Sequence, residues 1–574
     1  MLKFEVTYSL PQHHFVDFAF YIDGNIENLL NVNLACWRPG RYEIGNFAQN
    51  IQNVCVFDQE QQPLKCKKMG KDLWQIETKG NQKITIRYRY YAAVLNAGSS
   101  YLDENQLYLN PVNCFLFLKD RIDEEIQIQF IIPSDYQIAT QLISTSKNTF
   151  IAPNFDTLAD SPLIASASIK HLQYNIANSN FHIWFQGDVS LNESKILSDF
   201  EVFTKEQIMI FGDCECQDYH FLMQMLPYNF HHGVEHCNSS VNALGPGQKL
   251  MDAALYNDFI GLCSHELFHL WNVKRIRPKS MLPYNFEHEN YSSLGYVYEG
   301  ITTYYGDLVL LRSGLYSMAQ YLIEVNAHLN KHFNNYGRYH HSLADSSTDT
   351  WLDGYSIGIP DRKVNIYSEG LLAALILDAH CINQTNAEFC MDDMLRSLYL
   401  DYYKKGYGYD EEIWKACIEN LTGHRYDWYF NEIIHGKGQI ERHIDAALKL
   451  LGLKIRRNKI NALSSDYGIM ANQKDLQIII AQMAPNSEAY KQGIAKDDII
   501  YAINGVNVIS LDEANSLLNG EHLHDIEILR NGKQHQYSIK QKKEYFMNYA
   551  LELDLNATPF AIRNFNKWAK TSRK

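Results

Sequence analysis

The stretch His265-Glu266-Leu267-Phe268-His269 decides the central fold of this chain, and a glutamate follows within Tyr298-Glu299-Gly300-Ile301-Thr302. On a helix, residues i and i+4 lie on one face, so the imidazoles of His265 and His269 can bind one metal ion. The carboxylate of Glu266 can then reach a water molecule on that metal. Glu299 supplies a third ligand and leaves a fourth position open, which is typical of a catalytic zinc site.

The residues around the motif are mostly apolar, among them Leu267, Phe268, Leu270 and Trp271. This composition favours a buried active-site helix over an exposed one. The alternative is a helix that carries two histidines by chance, because the chain contains 22 histidines.

Length and composition limit the class of protein. A chain of 574 residues suggests two to four domains. Its 46% hydrophobic and 21% charged residues are ordinary for a soluble globular protein. The net charge of -14 argues against nucleic acid as a partner, and no apolar run is long enough to span a bilayer. We therefore expect neither nucleic acid nor a membrane as a partner.

The N-terminal residues and the cysteines favour a cytoplasmic protein. Met1-Leu2-Lys3-Phe4-Glu5-Val6 alternates like a strand and does not resemble a signal peptide. The 11 cysteines are scattered and lack zinc-finger spacing. We expect reduced thiols, as in a reducing compartment.

Hydrophobic patterning divides the chain into segments. Residues 83–90 and 125–130 alternate with period two, so the first part reads as β-sheet, with 181–187 as its last strand. From about residue 190 to 452 the pattern is mostly helical. We expect an N-terminal β-sheet domain at 1–188 and a catalytic domain at 189–454.

The segment at 455–545 resembles a PDZ domain. It contains a strand at 476–480, a turn at Ala484-Pro485-Asn486-Ser487, and Ala502-Ile503-Asn504-Gly505 as a hairpin, with Asp497 where glycine is usual. A helix from 511 to 518 would flank a groove that binds a peptide or a protein C-terminus along a sheet edge. The alternative is a domain that only packs on the catalytic one. Residues 546–574 are expected to be a C-terminal tail that ends in a basic, solvated stretch, Lys567 to Lys574.

Two further motifs resemble parts of zinc aminopeptidase sites. His232-Gly233-Val234-Glu235-His236 resembles an edge strand whose glutamate pairs with the free α-amino group of the substrate; Gly233 and His236 would line the substrate. Tyr367 resembles the tyrosine that donates a hydrogen bond to the oxyanion, although Glu369 stands where lysine is usual. Tyr304 and Tyr305 are alternatives for that role. For Glu235 the alternative is an exposed loop residue.

Taken together, these motifs resemble the glycyl aminopeptidase family of PDZ-containing zinc metallopeptidases, of the gluzincin type. The stretches that carry the resemblance are Trp37-Arg38-Pro39-Gly40-Arg41-Tyr42, Asp160-Ser161-Pro162, Gly233-Val234-Glu235-His236, 265–278, 298–307 and 370–378. The resemblance implies a multidomain α+β fold: an N-terminal β domain, a thermolysin-like, mainly helical catalytic domain and a C-terminal PDZ domain. It implies removal of N-terminal Gly, and less readily Ala, from peptides.

We expect one zinc bound by His265, His269 and Glu299, with Glu266 as the general base. Tyr367 would stabilise the oxyanion and Glu235 would bind the substrate ammonium. Two alternatives stay open. The first is a thermolysin-like zinc endopeptidase, for which Glu235 would be incidental. The second is a PDZ-based peptide-binding scaffold with a silent metal domain.

Overall fold

Alternating apolar residues build the N-terminal part of the chain as β-sheets, in the computed structural model that describes residues 1–24, 26–438, 440–518, 522–541 and 544–571. The strands are β1 (Leu2–Thr7), β2 (Phe15–Asp23), β3 (Leu29–Leu34), β4 (Ile51–Phe57), β5 (Pro63–Leu64), β6 (Cys66–Lys68), β7 (Leu73–Glu77), β8 (Lys83–Tyr91), β9 (Tyr101–Leu102), β10 (Leu107–Leu109), β11 (Leu116–Phe117), β12 (Ile126–Ile131), β13 (Gln137–Thr140), β14 (Ile143–Ser146), β15 (Thr149–Ala152) and β16 (Leu163–Ser166), with short helices α1 (Pro111–Cys114) and α2 (Phe155–Ala159). They form an eight-stranded sheet, β14-β15-β12-β1-β2-β8-β4-β5, and two four-stranded sheets, β13-β16-β10-β9 and β11-β3-β7-β6.

The middle part combines one sheet with helices. Its strands are β17 (Lys170–Ile176), β18 (Ser179–Gln186), β19 (Asp218–Met225), β20 (Phe230–Glu235) and β21 (Ser239–Gly245). Its helices are α3 (Glu193–Phe211), α4 (Ala253–Phe268), α5 (Thr302–Arg312), α6 (Met318–Phe333), α7 (Leu343–Thr348), α8 (Thr350–Asp353), α9 (Ile366–Gln384), α10 (Met391–Ser397), α11 (Glu411–Thr422), α12 (Asp427–Tyr429) and α13 (Ile440–Leu450). The sheet order is β17-β18-β19-β21-β20, so β20 is an edge strand and pairs antiparallel with β21.

The C-terminal part is a smaller sheet domain. Its elements are β22 (Leu453–Lys459), α14 (Ala462–Tyr467), β23 (Ile469–Lys474), β24 (Gln477–Met483), α15 (Glu488–Gln492), β25 (Ile499–Ile503), β26 (Val506–Asn507), α16 (Leu511–Ser516), β27 (Leu523–Arg530), β28 (Lys533–Lys540), β29 (Met547–Leu553) and α17 (Pro559–Ala569). The sheet β23-β24-β25-β27-β28 has its own apolar core, separate from the core that the other two domains share. Asp497 adopts φ 71°, a conformation that aspartate tolerates better than most residues.

Two expected boundaries differ from the structure. Strands β17 and β18 lie in the sheet of the middle part, because β18 pairs in parallel with β19, so residues up to 188 do not all belong to the N-terminal domain. Strands β22 and β29 pair with each other, so the PDZ core is inserted between them rather than following a boundary at 454/455.

The C-terminal tail expected at 546–574 is instead folded as far as the structure describes it. Residues 572–574 lie outside the described residues. Strand β29 pairs with β22, and α17 buries Phe565 and Trp568. The Trp568 indole donates to the Tyr304 hydroxyl at 2.7 Å, which ties α17 to α5. Among the described helices, none combines the length and apolar character needed to cross a membrane.

An asparagine ladder joins α6 to β29. The amide of Asn330 donates to the Tyr549 carbonyl and accepts from the Tyr549 amide, both at 2.8 Å. Asn334 bonds both backbone groups of Met547, and Asn326 accepts from Leu551. The spacings match, because i to i+4 on a helix rises ~6 Å and i to i+2 on a strand ~6.6 Å.

Replacing Asn330 with leucine should loosen this junction. The variant leaves both partly buried backbone groups of Tyr549 without their partner, at a cost of about 1 kcal/mol for each. We expect faster hydrogen exchange at residues 547–551 and a lower unfolding temperature. Asn31→Leu, at an exposed position of β3, is the control. Unchanged exchange at 547–551 in Asn330→Leu would contradict the ladder.

Candidate active site

Three side chains from two helical segments converge on one point. His265 lies in the last turn of α4 and His269 at its C-cap, with their Nε2 atoms 3.1 Å apart. Glu299 lies on a π-helical turn, Tyr296–Ile301, directly before α5. Its Oε2 is 3.5 Å from His269 Nε2, and one ligand atom from each of the three residues fits within 4.8 Å. The structure thus brings the three sequence-predicted ligands together.

Hydrogen bonds behind the ligands fix their orientation. His269 Nδ1 is 2.7 Å from the Asn272 carbonyl, so a proton on Nδ1 leaves the Nε2 lone pair facing the cluster. The Asn272 amide donates to the Val297 carbonyl and to the Thr302 hydroxyl, at 2.9 and 3.1 Å. These bonds lock the segment after α4 against the turn that carries Glu299.

The N-terminal domain reaches the same cluster through Tyr42. Its hydroxyl donates to Glu299 Oε1 at 2.7 Å, and both side chains are buried. Burial and the neighbouring Glu299 hold the pKa of Tyr42 well above its ordinary value. Sequence reasoning assigned no role to this tyrosine, although Trp37 to Tyr42 was one of the motifs that carried the family resemblance.

The carboxylate of Glu266 lies beside the metal-ligand cluster and against the backbone of β20. A Cβ on Gly233 would stand 2.1 Å from Glu266 Oε1, so only glycine fits there. Glu266 is buried, and its Oε2 has no hydrogen-bond partner within the protein. Burial raises the pKa of Glu266 to about 8; Glu235 and Glu299 add to the rise and His269 opposes it.

Glu235 ends β20 and faces the same space. One carboxylate oxygen each of Glu235 and Glu266 and a ring nitrogen of His269 fit within 4.8 Å. Glu235 is only 4% exposed, yet its Oε1 has no hydrogen-bond partner in the structure. Gly40, at φ 78°, lies on its other side, where a Cβ would be 2.5 Å from Glu235 Oε2. A buried carboxylate of this kind suits a cationic ligand.

The end of β20 is held by Asp160. This buried carboxylate is 3.0 Å from His236 Nδ1 and 2.8 Å from Lys274 Nζ, and it accepts from the Cys237 amide at 2.8 Å. Burial alone would raise the pKa of Asp160, but Lys274 and His236 lower it below its ordinary value. Lys274 therefore forms a buried ion pair, and His236, expected to line the substrate, has one ring nitrogen engaged by Asp160.

The tyrosine candidates differ in their surroundings. Tyr304 and Tyr305 are buried and donate to Asp378 and Asp392, at 2.7 and 2.6 Å. Tyr367 lies in the first turn of α9 and hydrogen-bonds the phenol of Tyr355. Burial, together with the charges of Glu299 and Glu235, holds the pKa of Tyr367 well above its ordinary value.

Two residues near Tyr367 have roles that the sequence did not predict. Glu369, which stands in the position of the usual lysine, is 2.8 Å from His332 Nδ1 and points away from the metal-ligand cluster toward α6. The Tyr355 hydroxyl accepts from the Tyr42 amide at 3.3 Å. Tyr355 therefore links the N-terminal loop to the segment that leads into α9.

Comparison with known families decides the class of this site. Family models match the Peptidase M61 N-terminal domain at residues 3–167, the M61 glycyl aminopeptidase at 258–373 and a PDZ domain at 479–530. The chain belongs to the M61 glycyl aminopeptidase family. The family resemblance and the fold class read from the sequence are thereby confirmed, and the protein is a metallopeptidase.

A solved structure shares this architecture. An aminopeptidase N family protein from Idiomarina loihiensis matches 98% of this chain and 100% of its own, with a TM-score of 0.90 and 22% identity, which shows a common fold. An M1 zinc metallopeptidase mutant from Deinococcus radiodurans, bound to a Tyr-Ser-Ala substrate, matches 76% of this chain and 94% of its own. Its TM-score of 0.48 at 11% identity is too low to support a functional conclusion. No curated protein matches.

Changing Gly233 to alanine should abolish activity while the metal ligands stay in place. The new methyl group would overlap the Glu266 carboxylate and push it from its position. A general base contributes about 10²- to 10⁴-fold to a rate, so we expect a loss of kcat in that range. Metal content, measured by elemental analysis, should match that of the parent.

Gly70→Ala is the control for this variant, because its added Cβ meets no atom closer than 3.8 Å. Parent-level kcat in Gly233→Ala would show that the contact with Glu266 does not position the base.

Proposed function

We propose that the protein is a zinc-dependent aminopeptidase that removes the N-terminal residue from peptides, Gly first and Ala less readily. The observation that carries this proposal is the buried, unpartnered carboxylate oxygen of Glu235 beside Glu266. An endopeptidase has no need for a buried anion at this end of the edge strand, whereas the ammonium of a free N-terminus would pair with it.

The donor set fits zinc. Tetrahedral zinc with bonds of ~2.0–2.1 Å holds its ligand atoms ~3.3 Å apart. The measured separations, 3.1 Å between the two imidazole nitrogens and 3.5 Å from His269 to Glu299, bracket that value. The second group of possible ligands, Glu235, Glu266 and His269, shares His269 with the first. We therefore propose one zinc per chain, held by His265, His269 and Glu299.

Each remaining residue then has one task. Bound zinc supplies Lewis-acid chemistry, because it polarises the scissile carbonyl and lowers the pKa of water. Glu266 accepts the proton of the attacking water and passes it to the leaving amine. The phenol of Tyr367 donates a hydrogen bond to the developing oxyanion. Glu235 pairs with the substrate ammonium and sets the register of the peptide along β20.

The preference for small residues is supported by the wall of the N-terminal domain. Gly40 lies against Glu235, and next to it the buried Arg38 packs on Gly98, where a Cβ would be 2.1 Å from the guanidinium carbon. The Arg38 guanidinium donates to the Pro39 carbonyl at 3.4 Å. In this proposal the wall would limit the size of the first side chain, and its positive charge would disfavour a cationic one.

We also propose a cytoplasmic location, supported by the 11 free cysteines, and peptide binding by the PDZ domain. Strand β23 ends its sheet among the described residues, and α16 lies beside it, the arrangement that strand addition requires.

The first experiment measures amino acid release from X-Ala dipeptides and their N-acetylated forms, with and without a chelator. We expect chelator-sensitive release from Gly and Ala substrates and none after acetylation, because acetylation removes the charge that Glu235 binds. Glu266→Gln is the matched control. It should retain zinc, and its turnover should fall by about 10²-fold or more. Cleavage of acetylated peptides at internal bonds would indicate an endopeptidase, and no cleavage at all would favour the PDZ scaffold.

Arg38 should determine the size and charge of the accepted first residue. In Arg38→Ala we expect kcat/KM for Leu substrates, relative to Gly, to rise about 10-fold or more, the usual range for opening an apolar pocket. Arg38→Met keeps the size of the side chain and removes its charge. It should therefore raise kcat/KM for Lys substrates relative to Leu substrates and leave the ratio of Leu to Gly unchanged. Arg89→Ala, whose arginine pairs with Asp17 on the N-terminal sheet, is the control. Parent-like ratios in both Arg38 variants would exclude this role.

A further inference from the structure

Two of the 11 cysteines lie two residues apart, on the loop that joins α3 to β19. Cys214 is buried and Cys216 is partly exposed, and both are free thiols. Glu215 between them adopts φ 47°, in the left-handed region that few residues with a side chain enter. A helical turn of either hand brings the Cα atoms of residues i and i+2 to about 5.5 Å, against about 7 Å in an extended chain. That separation lies within the range of about 4.4–6.8 Å that a disulfide spans.

A buried arginine faces this loop and is surrounded by neutral groups. Arg275 is only 5% exposed. Its guanidinium donates to four uncharged oxygen atoms at 2.8–3.1 Å, namely the carbonyls of Glu215, Leu270 and Cys237 and the side-chain oxygen of Asn238. Its Nε has no hydrogen-bond partner among the described residues. Since a buried charge normally has a counter-charge, an anion other than a carboxylate fits this place.

The thiols supply that anion. Burial lowers the pKa of Arg275, but four nearby groups that can become negative raise it above its ordinary value: Cys237, Tyr403, Cys216 and Cys214. The hydrogen bond from Cys216 and the charge of Arg275 lower the pKa of the Cys214 thiol, while burial opposes them. The same bond raises the pKa of Cys216, so the two sulfurs share one proton. A thiolate beside an arginine is the reactive form of cysteine.

Lys404 offsets the charge of the acidic residues on the loop. Its Nζ lies 3.0 Å from Asp213 Oδ2 and 3.2 Å from Glu215 Oε1. The Ser179 hydroxyl donates to the Cys216 carbonyl at 2.6 Å and holds the other end of the loop. The loop is thus fixed around the two sulfurs, and solvent can reach them from the side of Cys216.

Arg275 also joins this loop to the candidate active site. Leu270, one of its carbonyl partners, directly follows His269 at the end of α4. Cys237 and Asn238 lie in the short segment that follows the edge strand β20. A shift of the guanidinium would therefore reach both the metal-ligand helix and the edge strand.

We propose that Cys214 and Cys216 are a reversible redox pair that a hydroperoxide oxidises to a disulfide, and that the disulfide lowers the activity of the enzyme through Arg275. The effect on activity rests on the proposed aminopeptidase function, whereas the formation of the disulfide does not.

The oxidation takes two steps. The thiolate attacks the hydroperoxide, so that an S–O bond forms and the O–O bond breaks; the leaving oxygen takes a proton from solvent and departs as water or an alcohol. The second thiol then attacks the sulfenic acid, so that the S–S bond forms, the S–O bond breaks and the hydroxide leaves as water with the proton of that thiol. The two sulfurs lose two electrons, and the hydroperoxide gains them.

The test exposes the reduced, full-length protein to hydrogen peroxide and then blocks the remaining thiols with N-ethylmaleimide. Chymotrypsin cleaves after aromatic residues and releases residues 212–219, which contain these two cysteines and no other. By mass spectrometry we expect this peptide to lose two hydrogen atoms and to take up no maleimide. Treatment with dithiothreitol before blocking should restore two modified thiols.

Three variants test the parts of the pair. Cys216→Ser should abolish the loss of two hydrogen atoms, and Cys237→Ser is the matched control that should keep it. Arg275→Met should slow the oxidation about 10-fold, because less of the pair is ionised. A peptide 212–219 that still takes up two maleimide groups after peroxide would overturn the redox pair, as would the same loss of mass in Cys216→Ser.

The effect on activity is measured in the same samples. We expect release of Gly from Gly-Ala to fall about 10-fold on oxidation, the lower end of what loss of an outer contact costs a metal site, and to recover with dithiothreitol. Cys216→Ser should not respond to peroxide. Disulfide formation with unchanged release would overturn the link through Arg275. Absence of release from the reduced parent would instead refute the proposed function, while the mass measurement would still decide whether the pair forms.

Discussion

The hydrogen bond from the Tyr42 hydroxyl to Glu299 connects the N-terminal domain to the third candidate metal ligand. Both groups are buried, so loss of the bond would leave a carboxylate oxygen without its partner, at a cost of about 1–3 kcal/mol or more for a charged group. The same loop places Gly40 against Glu235. The candidate site is thus assembled from two domains, which also share one apolar core, while the PDZ domain has its own.

Without bound ligands, this site also holds several buried carboxylates that repel one another. Glu235, Glu266 and Glu299 are all buried in one small region, and like charges in a low-dielectric interior repel strongly. Two cations relieve this repulsion in the proposed mechanism: a metal ion at Glu299 and a substrate ammonium at Glu235. Glu266 then remains as the carboxylate that can accept a proton. In that proposal, the three neighbouring carboxylates would have three different roles.

Local spacing made the convergence of His265 and His269 predictable, because i and i+4 on one helix share a face whatever the tertiary fold. Glu299 could be named because it lies in a second recognisable motif. The partners that orient the site, Tyr42, Asp160 and Asn272, could not be assigned, because their contacts join segments far apart in the chain. The prediction that β17 and β18 belong to the N-terminal domain was wrong for a related reason. An alternating pattern predicts a strand but does not indicate which sheet the strand joins. The C-terminal helix α17 was not predicted, because the basic residues near its end are typical of a solvated tail. Its apolar residues Phe565 and Trp568 are buried in the structure.

The insertion of the PDZ core between β22 and β29 has a mechanical consequence. A domain joined by one flexible linker samples many orientations, whereas two paired strands leave it little freedom to rotate. The asparagine ladder binds the outer edge of β29 to α6, and Gln482 adds contacts from the PDZ sheet to Asn334 and Asp361. Three separate attachments therefore hold the PDZ domain in place against the catalytic domain.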